Sequence, residues 1–582
     1  SLYVHALADG VEAELAAFRA VVLATEGRLL ADPALPLSAV RHAVHPFVAL
    51  HRSLAQFCAR VEADALVGGQ IINALVVEAQ SGAPDRRAAY KRLLTRTQQV
   101  LFHQLVAWMV YGTLEDPTRE FFVTGDPPDG TPAPDHDVRD PVVAEREWGY
   151  RFTVRPEVTP TRMLSAPVAD LVLFVGKAVR LFRQHETVAA SAAPAGGGPL
   201  DDGVPHPLLD DDDEDAFLRD LSELKDTAAP SPLQVECCVD RLRATVATRL
   251  WRRLVVDAKL AAHLDALNNY FLLGRGELFQ AVTVEYTRAA TRTSRGMLTV
   301  SSSPSAAAGR AARTPAIAYE ASLRDVFTLR GVRGRAWVGF VGVQDGGPHA
   351  VSARLSRWHW MSTSRADEDS GGVGMQYHVE WPLHLVLTQA SMDHYNELFR
   401  FLLRLRRVQS ALHDAWVTLM ASKASPAWVR LQPVWLLRSR MAFVVANLQY
   451  YLRQDVVEPA FARLKDTTLT SKDFWAVKRA HDTFINEVVQ KSFLMKPAVS
   501  KAVSEILVEC AALATLITRN EAALERCIQE DRALVQRIEK AFQSNANFLF
   551  DTQRASRVAA GGSLMPRMDF NGFFQRESLI TL

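Results

Sequence analysis

Cysteine is scarce in this chain, with five residues in 582: Cys58, Cys237, Cys238, Cys510 and Cys527. The count is odd, no C-x-x-C pair occurs, and no histidines cluster at zinc-ligand spacing. These absences exclude a disulfide framework and a zinc ribbon and fit a reducing, intracellular compartment. An excess of charge of either sign is missing as well. The formal net charge is +1, so no global basic field draws the chain onto nucleic acid, and partner choice falls to local patches. Long apolar runs are also lacking. Ile506 to Ile517 is too short to cross a bilayer and carries Glu509, so a buried helix is expected there and no membrane insertion. No secretory signal heads the chain, which begins on Ser1 rather than Met, as expected where a native start lies upstream.

The motifs of covalent chemistry are absent too. There is no G-x-S-x-G, no H-E-x-x-H and no paired-carboxylate site, so neither an enzyme, a cofactor nor a metal is expected. Gly274 and Gly276 lie in Tyr270-Phe-Leu-Leu-Gly-Arg-Gly-Glu-Leu-Phe279, but the run lacks a third glycine and a P-loop lysine. It follows a helical pattern rather than a strand and reads as a helix break. The acidic run Asp210 to Asp215 has Ala216 where a calcium loop would need glycine, and it reads as a solvated acidic loop. His42, His45 and His103 read as ordinary helix residues.

What is present is helical periodicity. Hydrophobic residues make up 48% of the chain and charged residues 23%, enough apolar surface for several domains or one long helical array. Apolar spacing predicts helices at about 4–30, 38–62, 69–80, 86–113, 161–184, 233–268, 391–420, 430–454, 472–493, 497–518 and 520–549. Gly125 to Asp140, Ala189 to Asp215, Thr291 to Gly374 and Ala559 to Ser563 read as inserts, with one strand candidate at Ala336 to Val343. No fixed-period repeat stands out, which argues against a consensus solenoid.

Two helices carry candidate contact groups. Along Arg440 to Val456, the residues Met441, Val444, Val445, Leu448, Leu452 and Val456 form an apolar stripe, while Asn447, Gln449, Tyr450 and Tyr451 add amides and phenols. From Tyr395 to Trp416, Leu398, Leu402, Leu405, Val408, Leu412 and Trp416 form a second stripe. Arg400, Arg404 and Arg407 fall on another face, either as a solvated surface or as a basic ridge suited to carboxylates. Trp381-Pro382-Leu383 reads as an extended segment turning into a helix, with Trp381 in the core.

These runs resemble the GRIP-domain family of gamma-tubulin complex proteins. Asn447-Leu-Gln-Tyr-Tyr-Leu452 is similar to the family's NLQYYL core, Leu272 to Phe279 to its LLGRGELF run, and Tyr377 to Leu383 to its Y-x-V-x-W-P-L. Phe102 to Gly112, Glu120-Phe-Phe122, Leu173 to Lys177, Ala480 to Phe484 and Met568 to Asn571 follow the family order, so the likeness is collinear over most of the chain. The resemblance implies an all-α fold: two stacked helical-bundle domains in an elongated curved body with few peripheral strands. An N-terminal domain over 1–262 would have a truncated start and inserts near 124–147 and 187–215, and would make lateral contacts through helices between Tyr3 and Arg28. A C-terminal domain over 263–582, with a long insert near 291–374, would bind gamma-tubulin.

The expected gamma-tubulin face comprises Asn447, Tyr450, Tyr451, Arg453 and Asp455, with Arg567, Asp569 and Asn571 and the ridge Arg400, Arg404 and Arg407. The implied partners are gamma-tubulin and other complex components, and the implied location is the cytoplasm, cytoskeleton and microtubule organising centre or spindle pole. A helical tether without gamma-tubulin affinity is the alternative reading.

Overall fold

The computed structural model describes every residue except 33–34, 126–147, 149–150, 193–207, 228–229, 278, 281–282, 285–337, 340–357, 363–372, 378, 380, 422, 424–427, 520–530 and 558–582. It is mainly α-helical and divides into two compact units. One comprises Ser1–Ala258 with Lys472–Phe474, the other Lys259–Ser471 with Trp475–Leu582.

The first unit contains helices α1 (Leu2–Ala31), α2 (Leu37–Ala63), α3 (Gly69–Glu78), α4 (Pro84–Met109), α5 (Ala166–Ala192), α6 (Asp211–Asp226) and α7 (Pro232–Trp251). A two-residue antiparallel pair, β1 (Val123–Thr124) and β2 (Thr153–Val154), sets Val123 opposite Val154. Helix α4 is the hub: Tyr90, Leu93, Leu101, Phe102, Leu105 and Trp108 are all buried, because α1, α3, α5 and α6 each pack on it. Two sequence landmarks meet here. The Trp108 indole donates to the Val172 carbonyl at 3.1 Å, and a Cβ placed on Gly176 would lie 2.0 Å from that ring. Only glycine leaves room for the tryptophan, which explains why a glycine follows the apolar run Leu173-Phe-Val.

Three expectations are corrected in this unit. Asp210 to Asp215 is not a loop: Asp210 immediately precedes α6, and Asp211, Asp212, Asp213 and Glu214 form its first turn. Carboxylates are favoured there by the positive end of the helix dipole. Arg249 adds ion pairs to Asp210 at 2.6 Å and Asp213 at 2.7 Å, and Arg183 pairs with Glu214. The helix expected at 161–184 starts later and runs to Ala192. The single helix expected over 233–268 is broken. Helix α7 opens on a capping box of Ser231 and Gln234, passes into a π-turn at Arg252–Asp257, and stops before Lys259, which adopts φ 53°.

The second unit contains α8 (Leu260–Tyr270), α9 (Gln389–Ala421), α10 (Trp428–Tyr450), α11 (Glu458–Thr470), α12 (Phe474–Lys491), α13 (Pro497–Arg519) and α14 (Arg532–Arg557). Its sheet joins β3 (Val338–Gly339) parallel to β4 (Trp358–Ser362), and β4 antiparallel to β5 (Val373–Tyr377). The strand expected at 336–343 is realised at Val338–Gly339, and the rest of that stretch lies outside the described residues. The Ala559–Ser563 insert and residues 520–530 of the helix expected at 520–549 also lie outside them. After β5 the chain reaches a single 3-10 turn at Leu383–Leu385 before α9. Trp381 is half-buried beside His384 rather than fully in the core.

Helix α9 is central, packed against α10 and α13, with α14 on α13. Its core stripe differs from the expected one. Phe399 and Leu403 are buried beside Leu398, Leu405, Val408 and Leu412, whereas Leu402 is half-buried and Trp416 is 37% exposed. The buried face is thus turned towards Phe399 and Leu403 and away from Leu402 and Trp416. Ile506, Leu507, Cys510, Leu513 and Ile517 form the buried face of α13, as the short apolar run suggested. At the centre, the fully buried Tyr395 hydroxyl meets His481 Nε2 at 3.3 Å.

Candidate protein-binding face

Helix α10 is apolar on two opposite faces. The inner face buries Leu431, Val434, Leu437, Met441, Val444, Val445 and Leu448, and Arg438 ties it to α9 by donating to the Leu412 carbonyl at 2.8 Å. The outer face carries Val429, Leu436, Phe443 and Tyr450, each seven residues from the next and exposed by 73%, 46%, 38% and 48%. Pro433 is exposed and Arg440 and Asn447 are half-buried on the same line. At 1.5 Å per residue this seam runs about 32 Å. Exposed apolar side chains in a continuous row differ from scattered surface leucines and mark contact surfaces.

The helix then changes pitch. Tyr451–Val457 form a π-turn, and Glu458–Thr470 continue as α11 with Pro459 in its first turn. The helix expected to end at 454 therefore continues through the turn, since a proline near a new helix start is tolerated. The two adjacent tyrosines, about 100° apart around the helix, fall on different sides of it. Tyr450 faces outward, whereas Tyr451 is 8% exposed, stacks on Phe493 at 5.9 Å and donates towards the Lys491 carbonyl at 3.5 Å. Burial, with Asp455 adding repulsion, pushes the Tyr451 phenol up to about 12.

Arg453 turns inward on the chain itself. Its Nη1 donates to Asn268 Oδ1 and to the Leu272 carbonyl, each at 3.3 Å, and its Nε donates to Glu458 at 3.1 Å. The guanidinium that directly follows Asn447 to Leu452 thus reaches the first residue of the run Leu272 to Phe279. The glycine pair reads as a helix end: the Gly274 and Arg275 amides donate to the Asn268 and Asn269 carbonyls, so they cradle no phosphate. Nearby, Lys465 Nζ pairs with both Asp265 oxygens at 2.9 Å.

The remaining expected residues are dispersed. Asn447 donates to the Phe443 carbonyl at 2.9 Å, and Asp455 is half-buried in the π-turn. Arg400, Arg404 and Arg407 are half-buried on α9, where Arg404 donates to Ser504 Oγ at 2.6 Å and so braces α9 against α13. Arg567, Asp569 and Asn571 lie outside the described residues. Sequence reasoning missed Val429, Leu436 and Phe443; the signal that would have found them is the seven-residue repeat ending at Tyr450. Among the described residues, no group of His, Cys, Asp and Glu is arranged to hold a metal, and no helix is long and apolar enough to cross a membrane.

Comparison with known proteins places these features. The family model for the gamma tubulin complex component N-terminal region matches residues 1–256, and that for the gamma tubulin complex component C-terminal region matches residues 343–574. Gamma-tubulin complex component 4 of Mus musculus is 28% identical over 604 residues, covering 98% of this chain and 86% of that protein. Component 4 of Arabidopsis thaliana is 28% identical over 642 residues, covering 99% of this chain and 83% of that protein. Component 3 of Homo sapiens is 22% identical over 439 residues, covering 73% of this chain and 41% of that protein.

Proposed function

This chain belongs to the gamma-tubulin complex component family, and we propose that its C-terminal unit carries gamma-tubulin on the outer face of α10 while its N-terminal unit meets neighbouring components. Its role is structural. It is a component of the gamma-tubulin complex, assembles with gamma-tubulin and other components, and serves microtubule nucleation as a cytoskeletal, microtubule-organising protein. Its working sites are the cytoplasm and the microtubule organising centre or spindle pole.

The observation that supports the gamma-tubulin face is the exposed row Val429, Leu436, Phe443 and Tyr450 on a helix whose opposite side is core. Aromatic anchors with polar neighbours such as Arg440 and Asn447 are the composition of an interface centre. Tyr450 and Asn447 are the contact groups of this reading, with Arg440 beside them. Tyr451 and Arg453 hold the π-turn that presents them, and Asp455 sits within that turn. Arg404 braces α9 against α13 behind them, and Arg400 and Arg407 stand on the same helix as a basic ridge. The terminal Arg567, Asp569 and Asn571 complete the contact set. On the N-terminal unit, the lateral surface is assigned to α1, where Leu23 and Leu30 are 66% and 78% exposed.

No covalent step is involved. Components side by side hold gamma-tubulins in the spacing of the microtubule end, so the entropy of bringing subunits together is removed before nucleation begins. The test is binding of gamma-tubulin to the full chain, wild type against Phe443→Asp with Tyr450→Ala. Loss of binding with helicity retained supports the reading; unchanged binding refutes the face.

A further inference from the structure

We infer that the outer stripe of α2 is a docking surface for an acidic peptide segment of a partner protein. This surface is separate from the α10 face and does not depend on gamma-tubulin.

Two observations carry it. The first is position. Arg41, His45, Val48 and Arg52 stand at i, i+4, i+7 and i+11, which sets them within about 60° of arc around the helix. All four are exposed, Val48 by 49%. The buried residues Leu50, Leu54, Phe57 and Val61 occupy the opposite side of the same helix. Helix α1 packs at the flank, where Phe18 meets Phe47 and His51. The stripe therefore faces away from both the core and α1.

The second observation is unspent charge. Among the described residues, Arg41, His45 and Arg52 make no hydrogen bond, ion pair or ring contact, whereas the exposed Arg19, Arg92 and Arg241 are each held by a carboxylate. The single acidic residue of α2, Glu62, lies ten residues beyond Arg52, about 15 Å along the axis. Two guanidinium groups about 16 Å apart with a valine between them suit a segment that carries two carboxylates around an apolar residue. A phosphate polymer fits less well: the stripe is one residue wide, its centre is apolar, and a net charge of +1 supplies no field to gather nucleic acid. A second copy of the stripe would set arginine against arginine, which disfavours self-pairing. Exposed ion pairs are weak singly, so binding requires both arginines together.

The experiment uses the full chain and labelled polyglutamate as the probe, read by fluorescence anisotropy at low and moderate salt. Polyuridylate and phosphatidylserine-containing vesicles are tested in parallel. The variant is Arg41→Glu with Arg52→Glu. Its control is Lys91→Glu with Arg162→Glu, which alters net charge equally at two exposed sites off the stripe. The expected result is that polyglutamate binds the wild type and weakens as salt rises. The α2 variant should lose at least about tenfold in affinity and the control less than about twofold, with equal circular dichroism in all three. Equal losses in the two variants would reduce the stripe to diffuse charge and overturn the inference. Failure of polyglutamate to bind the wild type would overturn it as well. Tighter binding of polyuridylate or vesicles through Arg41 and Arg52 would assign the stripe to a different partner class, and self-association lost in the α2 variant would assign it to a second copy; either result contradicts the inference.

Discussion

Arg453 donates through Nη1 to the Leu272 carbonyl at 3.3 Å, bridging residues far apart in sequence. The contact joins the end of α8 to the π-turn that follows α10 and explains two sequence landmarks with one interaction. A carbonyl at a helix terminus lacks an intrahelical donor, and the guanidinium satisfies it while the same Nη1 also reaches Asn268 Oδ1.

Replacing Arg453 with alanine removes these bonds and the pair with Glu458. The side chain is 29% exposed, so the expected loss is about 1.5–3 kcal/mol, the range for hydrogen bonds to charged groups. Lysine should restore little, because one ammonium does not span Asn268, Leu272 and Glu458 at once. Urea midpoints of the three proteins decide this, and a fully stable Arg453→Lys would show that charge alone suffices.

Gly176 is the second position. A methyl there would stand 2.0 Å from the Trp108 indole, a separation no side-chain adjustment of a fully buried ring absorbs. Gly176→Ala is expected to destabilise the first unit by at least about 1–3 kcal/mol, the usual range for overpacking. Thermal unfolding followed by tryptophan fluorescence reads it, and wild-type behaviour would mean that α4 and α5 separate readily.

Acid sensitivity should be traceable to His481. Complete burial holds its imidazole below the ordinary value, only partly countered by Asp482, so it is neutral in the native state. The unfolded chain takes up this proton near pH 6.5. Stability from this site is therefore intact above that value and is lost as pH falls below it, by up to about 1.4 kcal/mol per pH unit per proton. His481→Gln should flatten the slope of unfolding free energy between pH 6.5 and the acid limit by close to one proton. An unaltered slope would place the acid response elsewhere.

The acidic first turn of α6 gives a milder effect. Asp213→Asn removes a carboxylate that is 27% exposed and paired with Arg249. The expected loss is about 0.5–1 kcal/mol, shrinking as salt is added, from the dipole and the ion pair together. Salt-independent destabilisation would instead indicate a packing role.

Much of the fold was legible because helical period and core burial act together. Met441, Val444, Val445 and Leu448 repeat at helical spacing and are all buried. The errors fell where local signals compete. Asp210 to Asp215 look like a solvated loop by composition, yet the same carboxylates stabilise a helix start facing Arg249 and Arg183. The helix expected to end at 454 runs on through a π-turn into α11, with Pro459 in that helix's first turn. Neither π-turn has a sequence mark, since an extra residue in a helical turn leaves the local composition unchanged. For the candidate face, sequence drew attention to the right segment but not to its orientation. Tyr450 and Tyr451 are chemically identical, and their roughly 100° separation around the helix sends one to solvent and the other against Phe493.

The most direct test of the account is gamma-tubulin affinity of the full chain bearing Phe443→Asp and Tyr450→Ala, with Leu469→Asp as an exposed control on α11. The account predicts at least about a hundredfold loss, about 2.7 kcal/mol, for the α10 pair and little change for the control, with helicity equal in all three. Equal affinity of the α10 variant and the wild type would contradict it.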